Sequence, residues 1–249
     1  MDERGSQMCR LLGVVSNQSC NIYDLLCDCE HPFAQFGVSN PDGWGMGWYV
    51  DNRPNLYKED KAANESIELP KYARSAFSTL FIAHVRKGSG TPVCVKNCHP
   101  FKFRQWLFAH NGKVSDEELK MRLSDVHCDA ISGDTDSEVF FHWILQNMEH
   151  IGDPIEGVRS SIKLARKYPH TALNFLLFDG NRLYAYREAD ERPHYFSLFI
   201  KEESNPDPNG MHKVTVCSET ITAGDWDEIP MKELQVMENG VIVMREDMS

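Results

Sequence analysis

Cys9 stands directly after Met8 and directly before an apolar run, in "SQMCRLLGVV". A thiolate is a strong nucleophile, so a cysteine at the head of a buried strand raises the question of whether it does chemistry. The bland reading is a small buried hydrophobe. A second group of interest is Asn111-Gly112 in "FAHNGKV". The same dipeptide at Asn239-Gly240 lies between two alternating strands, as a hairpin turn should. Asn111-Gly112 is instead followed after two residues by a helix start, so it does not join two strands. There the glycine leaves a backbone N–H free to point at a ligand, and the asparagine amide offers a second donor. Two convergent donors are what a tetrahedral oxyanion needs. Arg86 in "FIAHVRKGSG" and Asp136 in "GDTDSE" complete the set; taken singly, they read as an ion-pair residue and a helix-dipole complement.

The elements that would position these residues are legible in outline. Cys9 to Ser16 reads as a continuous apolar strand interrupted by Gly13, where something approaches the backbone closely. "WGMGWYV" and "STLFIAHVRK" read as further strands, and "QWLFAHNGKV" as a strand running into a turn. Ser115 with Glu118, and Thr135 with Glu138, match the S/T-x-x-E capping box, and Asp153-Pro154 opens a third helix. Hairpins follow around Asp179-Gly180 and Asn239-Gly240. Strands, then helices, then strands favour an α+β layered domain over a parallel doubly wound sheet. "SNPDPNG" near Asn205 reads as a polar loop, and the chain from Cys9 to Ser249 as a single domain preceded by an eight-residue extension, 1–8.

Composition excludes some functions. The chain has 249 residues and a formal net charge of −11, with no basic stripe of the kind that displaces counterions from nucleic acid. Its apolar runs are too short to cross a bilayer, and "MDERGSQM" lacks the core of a signal peptide. A cytoplasmic location follows as the expectation. The eight cysteines are then expected as reduced thiols, and the sequons at Asn17 and Asn64 as chance matches.

The ordered set "MCRLLGVVSN", "NPDGWGMGWY", "FIAHVRKGSG", "NCHPF", "FAHNGKV" and "TDSE" resembles the class II glutamine amidotransferases, the N-terminal nucleophile hydrolases whose first residue is cysteine. It is closest in kind to their small stand-alone members, without an attached synthase domain. The resemblance implies a four-layer α-β-β-α sandwich. It implies Cys9 as nucleophile, Asn111 and Gly112 as oxyanion donors, Arg86 on the α-carboxylate of glutamine, and Asp136 on its α-ammonium. Free glutamine carries one charge of each sign at its α-carbon, so a pocket with one fixed cation and one fixed anion suits it. Ser89 is a weaker candidate for a substrate hydroxyl, because "RKGS" departs from the family's R-x-A-T. His99 fits the pattern as a loop-packing residue, and His84 and His110 read as core histidines.

The family's general base is the nucleophile's own α-amine, with a free pKa of about 7.7–8.0 against about 8.5 for the thiol. With residues 1–8 attached, Cys9 has only a peptide N–H behind it. The functional protein is therefore expected to begin at Cys9, with Met8 as initiator. The implied reaction is hydrolysis of glutamine or a γ-glutamyl compound through a thioester, with no metal or organic cofactor. A separate synthase or acceptor subunit is an allowed partner, and a homodimer is the default assembly. The alternatives are a non-catalytic glutamine-binding or regulatory subunit and a metal site at Cys27, Cys29 and His31 or at Cys94, Cys98 and His99. C-x-C-x-H is atypical zinc spacing. Trp44 and Trp48 read either as an outer pocket wall or as core aromatics.

Overall fold

The computed structural model describes residues 9–88, 90–190, 192–203 and 210–249. The 1–8 extension, Ser89 and most of the "SNPDPNG" loop lie outside the described residues. Among the described residues thirteen strands form two sheets. The first sheet contains β1 (Arg10–Cys20), β2 (Trp44–Val50), β3 (Arg53–Glu59), β4 (Ser78–Val85), β9 (Phe199–Glu202), β10 (Lys213–Cys217) and β11 (Asp227–Glu228), in the order β11-β9-β10-β1-β4-β2-β3. The second contains β5 (Phe101–Phe103), β6 (Trp106–Asn111), β7 (Asn174–Phe178), β8 (Arg182–Arg187), β12 (Glu233–Glu238) and β13 (Val241–Asp247), in the order β13-β12-β8-β7-β6-β5. The paired strands are antiparallel throughout.

The pleat explains the layering. Successive side chains alternate between faces, and β1 is apolar on both: Leu11 and Val15 meet the second sheet, while Leu12 and Val14 face the other way. Gly13 lies on the inner row. A Cβ there would stand 3.0 Å from Leu176 Cδ1 and 3.1 Å from Leu183 Cδ2 of the facing sheet, the close approach expected from the sequence. Leu80 and Ile82 of β4, and Leu107 and Ala109 of β6, fill the same inter-sheet core.

Helices cover both outer faces. α4 (Asp136–Ile151) and α5 (Pro154–Ala165) pack on the second sheet through Phe140, Phe141, Ile144, Val158 and Ile162. α1 (Leu69–Ser75) and short helical turns cover the first sheet around Leu26, Phe33 and Trp44. This is the α+β four-layer arrangement expected from the sequence. Thr135 accepts from the Glu138 N–H and Asp153 from the Glu156 N–H, as expected of N-caps. The Ser115 box does not form: α2 (Asp116–Lys120) has no side-chain cap bond and gives way to a separate α3 (Asp125–Ala130). The Thr135 box is only half made, because Glu138 turns away to the backbone of Ser132 and Gly133.

Phe108 lies between β6 and α4, stacked on Phe141 at 5.2 Å and fully buried. Phe108→Ala should cost about 3–5 kcal/mol of stability, read as a lower urea midpoint with an unchanged m-value; a loss under 1 kcal/mol would refute this account of the layer.

Candidate functional site

Strand parity carries the proposed site residues to one place. Along β1, Cys9 shares the inner face with Leu11; along β4, Arg86 continues the row Leu80, Ile82, His84; along β6, Asn111 continues Leu107 and Ala109. β1 and β4 are antiparallel with Arg10 opposite Val85, so the residue before one strand meets the residues after the other. Cys9 Sγ accepts the Lys87 N–H at 3.2 Å and lies 3.5 Å from the Lys87 carbonyl. A cavity of about 670 Å³ opens there, and Cys9, Arg86, Asn111, Gly112 and Asp136 all line it.

Each is held differently. Arg86 is buried; its guanidinium donates to the Asp42 carbonyl at 3.2 Å and to Thr91 Oγ1 at 2.6 Å, leaving donors of its fork for the cavity. Asp42 in turn accepts the Gly88 N–H at 2.8 Å. Asp136, at the first position of α4, accepts the Val114 N–H at 2.9 Å and its neighbour Ser137 N–H at 2.9 Å. It therefore ties the segment following Gly112 to the helix start, where its charge complements the helix dipole.

Asn111 ends β6 opposite Asn174. Asn174 is fully satisfied, donating to the Phe196 carbonyl at 2.7 Å and accepting the Glu188 N–H at 2.8 Å. Asn111 Nδ2, by contrast, is buried with no partner among the described residues. Unpaired buried donors are uncommon and expensive, so this one points at something the cavity receives. At Gly112 a Cβ would stand 2.0 Å from the Ala172 carbonyl oxygen, so only glycine fits.

Burial pushes the Cys9 thiol up, against the lowering effects of the Lys87 N–H, Arg86 and Arg10. The thiol is thus protonated at neutral pH and needs a base. The nearby histidines are poorly suited. Burial drives His84 down to about 3 and His99 well below the usual range. Their rings lie 4.2 Å apart, and none of their nitrogens has a partner among the described residues. His110 is also pushed down, chiefly by burial. Its Nε2 must be the donor to the Ala172 carbonyl at 3.1 Å, so Nδ1 accepts from Ser137 Oγ at 3.0 Å.

Of the two readings open for Trp44 and Trp48, the core one holds: they pack on the outer face of the first sheet, where Trp44 Nε1 donates to Glu59. The glycines around them admit a neighbouring loop instead, since a Cβ on Gly45 would lie 2.2 Å from the His99 carbonyl oxygen. The two Cys/His stretches are not gathered into one ligand set. Cys98 Sγ points at the Glu59 and Cys94 carbonyls, while Cys27 and Cys29 pack against the outer core. All eight cysteines are free thiols. The one grouping of three ligand-type side chains among the described residues is His170, Glu188 and Asp190, where Glu188 is already paired with Arg166 and bonded to Tyr186. Thr91, Lys113, Arg192, Tyr195 and Phe196 also line the cavity and carried no readable spacing, although the Gly-rich stretch before Thr91 marks a loop leaving a strand.

The class II glutamine amidotransferase model matches residues 8–249. DUG3 of Saccharomyces cerevisiae, named as a glutamine amidotransferase, is 24% identical over 97% of this chain and 82% of its own length. The gamma-glutamyl-hercynylcysteine sulfoxide hydrolase of Mycobacterium tuberculosis is 28% identical over 60% of each chain. Among solved structures, a glutamine aminotransferase class-II domain protein from Silicibacter pomeroyi superposes with a TM-score of 0.70 at 24% identity, covering 96% of this chain and 99% of that one. The glutamine phosphoribosylpyrophosphate amidotransferase of Bacillus subtilis gives 0.70 at 16% identity, over 97% and 49%. These superpositions show the shared fold.

The two asparagines should respond oppositely to truncation. Asn174→Ala leaves the Phe196 carbonyl and the Glu188 N–H unpaired and should cost about 2–3 kcal/mol, whereas Asn111→Ala removes an orphan donor and should stay within about 1 kcal/mol of the parent. Paired urea titrations read this directly; equal losses would mean that Asn111 is bonded in the free protein.

Proposed function

The chain belongs to the class II glutamine amidotransferases, enzymes that act on an amide C–N bond, and from this we propose that Cys9 is the N-terminal nucleophile of an amidohydrolase for glutamine or a γ-glutamyl compound. The observation that carries the reading is the unpartnered, buried Asn111 Nδ2 in the same cavity as Cys9 Sγ. A donor left unbonded in the resting protein, beside a sulfur, suits an oxygen that gains charge only during reaction. The γ-glutamyl substrate in the name of the mycobacterial relative is consistent with the same head group being read here.

In this mechanism Arg86 holds the substrate α-carboxylate and Asp136 its α-ammonium. The thiol proton passes to the α-amine of Cys9 as sulfur bonds to the γ-carbonyl carbon, and the carbonyl electron pair moves onto oxygen. Asn111 Nδ2–H and the Gly112 N–H bond that oxygen. Collapse re-forms the carbonyl and breaks the C–N bond, and the departing nitrogen takes the proton from the α-ammonium. Water, losing its proton to the same amine, then opens the thioester and releases glutamate with the thiol restored.

The amine must be primary for this to work. An amide nitrogen is not basic, and the histidines nearby are held neutral and occupied or stacked, so none replaces it. We therefore take the active species to begin at Cys9, after removal of residues 1–8.

Four outcomes follow. Protein bearing residues 1–8 should lack glutaminase activity until intact mass shows cleavage before Cys9; an active uncut species would overturn the mechanism. In the processed form kcat/KM should rise with pH as the amine loses its proton, with a midpoint near about 7.7–8.0; a flat profile from pH 6 to 9 would exclude the amine as base. Asn111→Ala should lower kcat by about 10²–10³ at little cost in stability, and Cys9→Ala should abolish turnover while glutamine or a γ-glutamyl ligand still binds, as measured by calorimetry.

A further inference from the structure

The cavity has a second half that the reaction at Cys9 leaves unused. In the first sheet β4, which leads into Arg86, flanks β1 on one side, and β10 flanks it on the other; in the second sheet β7 and β8 lie beyond β6 in the same sense. Arg86, assigned to the substrate α-carboxylate, therefore lies to one side of Cys9, while Asp136 accepts the Val114 N–H beside Lys113. The side away from Arg86 is closed by the loop after β8, of which Arg192, Tyr195 and Phe196 line the cavity, and Lys113 lines it where the chain leaves β6.

That wall is built rather than incidental. The buried Arg187 donates to the carbonyls of Pro193, Phe196 and Ile229 and pairs with Glu228 at 2.6 Å. Asn174 donates to the same Phe196 carbonyl, and Ser197 Oγ donates to the Ser218 carbonyl, joining the loop to the first sheet. Lys113 is fixed by its backbone N–H to Thr171 Oγ1 at 3.0 Å. Among the described residues neither the Lys113 ammonium nor the Arg192 guanidinium is ion-paired; Arg192 stands 5.7 Å from the centre of the Tyr195 ring. Asp116, Asp134 and Asp136 line the same cavity; with Asp134 paired to Lys96 and Asp136 assigned to the substrate ammonium, Lys113 and Arg192 still outnumber Asp116, and the excess positive charge favours an anionic group. Size agrees: about 670 Å³ is the range of pockets that enclose drug-sized ligands, roughly 300–1,000 Å³, whereas glutamine has only about ten non-hydrogen atoms.

We propose that Lys113, Arg192, Tyr195 and Phe196 form a leaving-group subsite, and that the substrate is a γ-glutamyl derivative of an α-amino acid whose free carboxylate meets Lys113 and Arg192. The bond broken joins the γ-carbonyl carbon to that amino acid's nitrogen, which departs carrying the proton from the Cys9 ammonium; water completes the hydrolysis. This rests on the function proposed above and specifies what leaves.

The test compares γ-glutamylglycine, γ-glutamylethylamide and glutamine on protein bearing a free Cys9 amine. γ-Glutamylglycine, which carries the carboxylate, should exceed γ-glutamylethylamide, which lacks it, by about tenfold or more in kcat/KM. The Lys113→Gln/Arg192→Gln double variant should bring that ratio towards one, and Arg192→Lys should keep most of it. Both positions are exposed, so the double variant is expected to fold; its thermal midpoint is recorded alongside. A parent ratio near one, or a ratio indifferent to the double variant, overturns the subsite while leaving the glutaminase reading intact. No turnover of any of the three overturns both together.

Discussion

The period of two along a pleated strand governs everything at this site. Three neighbouring strands, β1, β4 and β6, send apolar side chains inward until the last step at one edge of the sandwich, where the same row delivers Cys9, Arg86 and Asn111. A one-residue slip in any of the three would turn its functional side chain out of the gap and expose the apolar row behind it. The inter-sheet core thus enforces the register on which the site depends. The cost of misplacing Cys9 is the cost of misplacing Leu11 and Val15 as well.

The row also sets the electrostatics. Behind Arg86 the inner positions are occupied by His84 and, from the adjoining loop, His99, both held neutral by burial. Uncharged at working pH, they add no further positive charge beside Arg86, and His99 also lines the cavity. The thiol is held in its protonated form by the same burial, partly offset by the Lys87 N–H. The resting protein therefore keeps a protonated sulfur and an unbonded amide donor in one cavity, the two groups the proposed reaction would use once a carbonyl enters. Stabilisation concentrated on the reacting state rather than the resting one is the economical way to use a buried donor.

What the sequence made legible follows from where physical constraints act locally. β1, β4 and β6 are buried on both faces or nearly so, hence their continuous apolar runs. Asp153-Pro154 caps its helix with the residues on the spot, and Asn239-Gly240 takes up positive φ at both positions of its turn. The misses arise where a distant group wins. Glu118 sits three residues after Ser115, yet α2 is too short for the reciprocal bond to matter, and its carboxylate lies nearer Arg122. Glu138 gives up its box for two backbone donors in the Ser132-Gly133 turn. β3 carries a proline and a half-polar pattern because it is an edge strand, and β9 to β11 are short segments defined by pairing rather than by composition. At the site, Cys9, Arg86, Asn111, Gly112 and Asp136 could be named together because the ordered motifs that contain them resemble a known family; taken singly, Cys9, Arg86 and Asp136 each had an ordinary structural reading. The loop containing Arg192, Tyr195 and Phe196 could not, since its place depends on Asn174 of β7 and Arg187 of β8 bonding its carbonyls, which no local spacing announces.

That dependence divides the cavity into two kinds of wall. The side bearing Arg86 is set by strand termini and by a helix start, elements whose geometry follows from the whole sandwich. The opposite side is a loop pinned at its Pro193 and Phe196 carbonyls by Arg187 and Asn174, and through the Ser197 hydroxyl to the Ser218 carbonyl. A fold arranged in this way can keep one head group fixed and change what it releases by substituting a few loop residues.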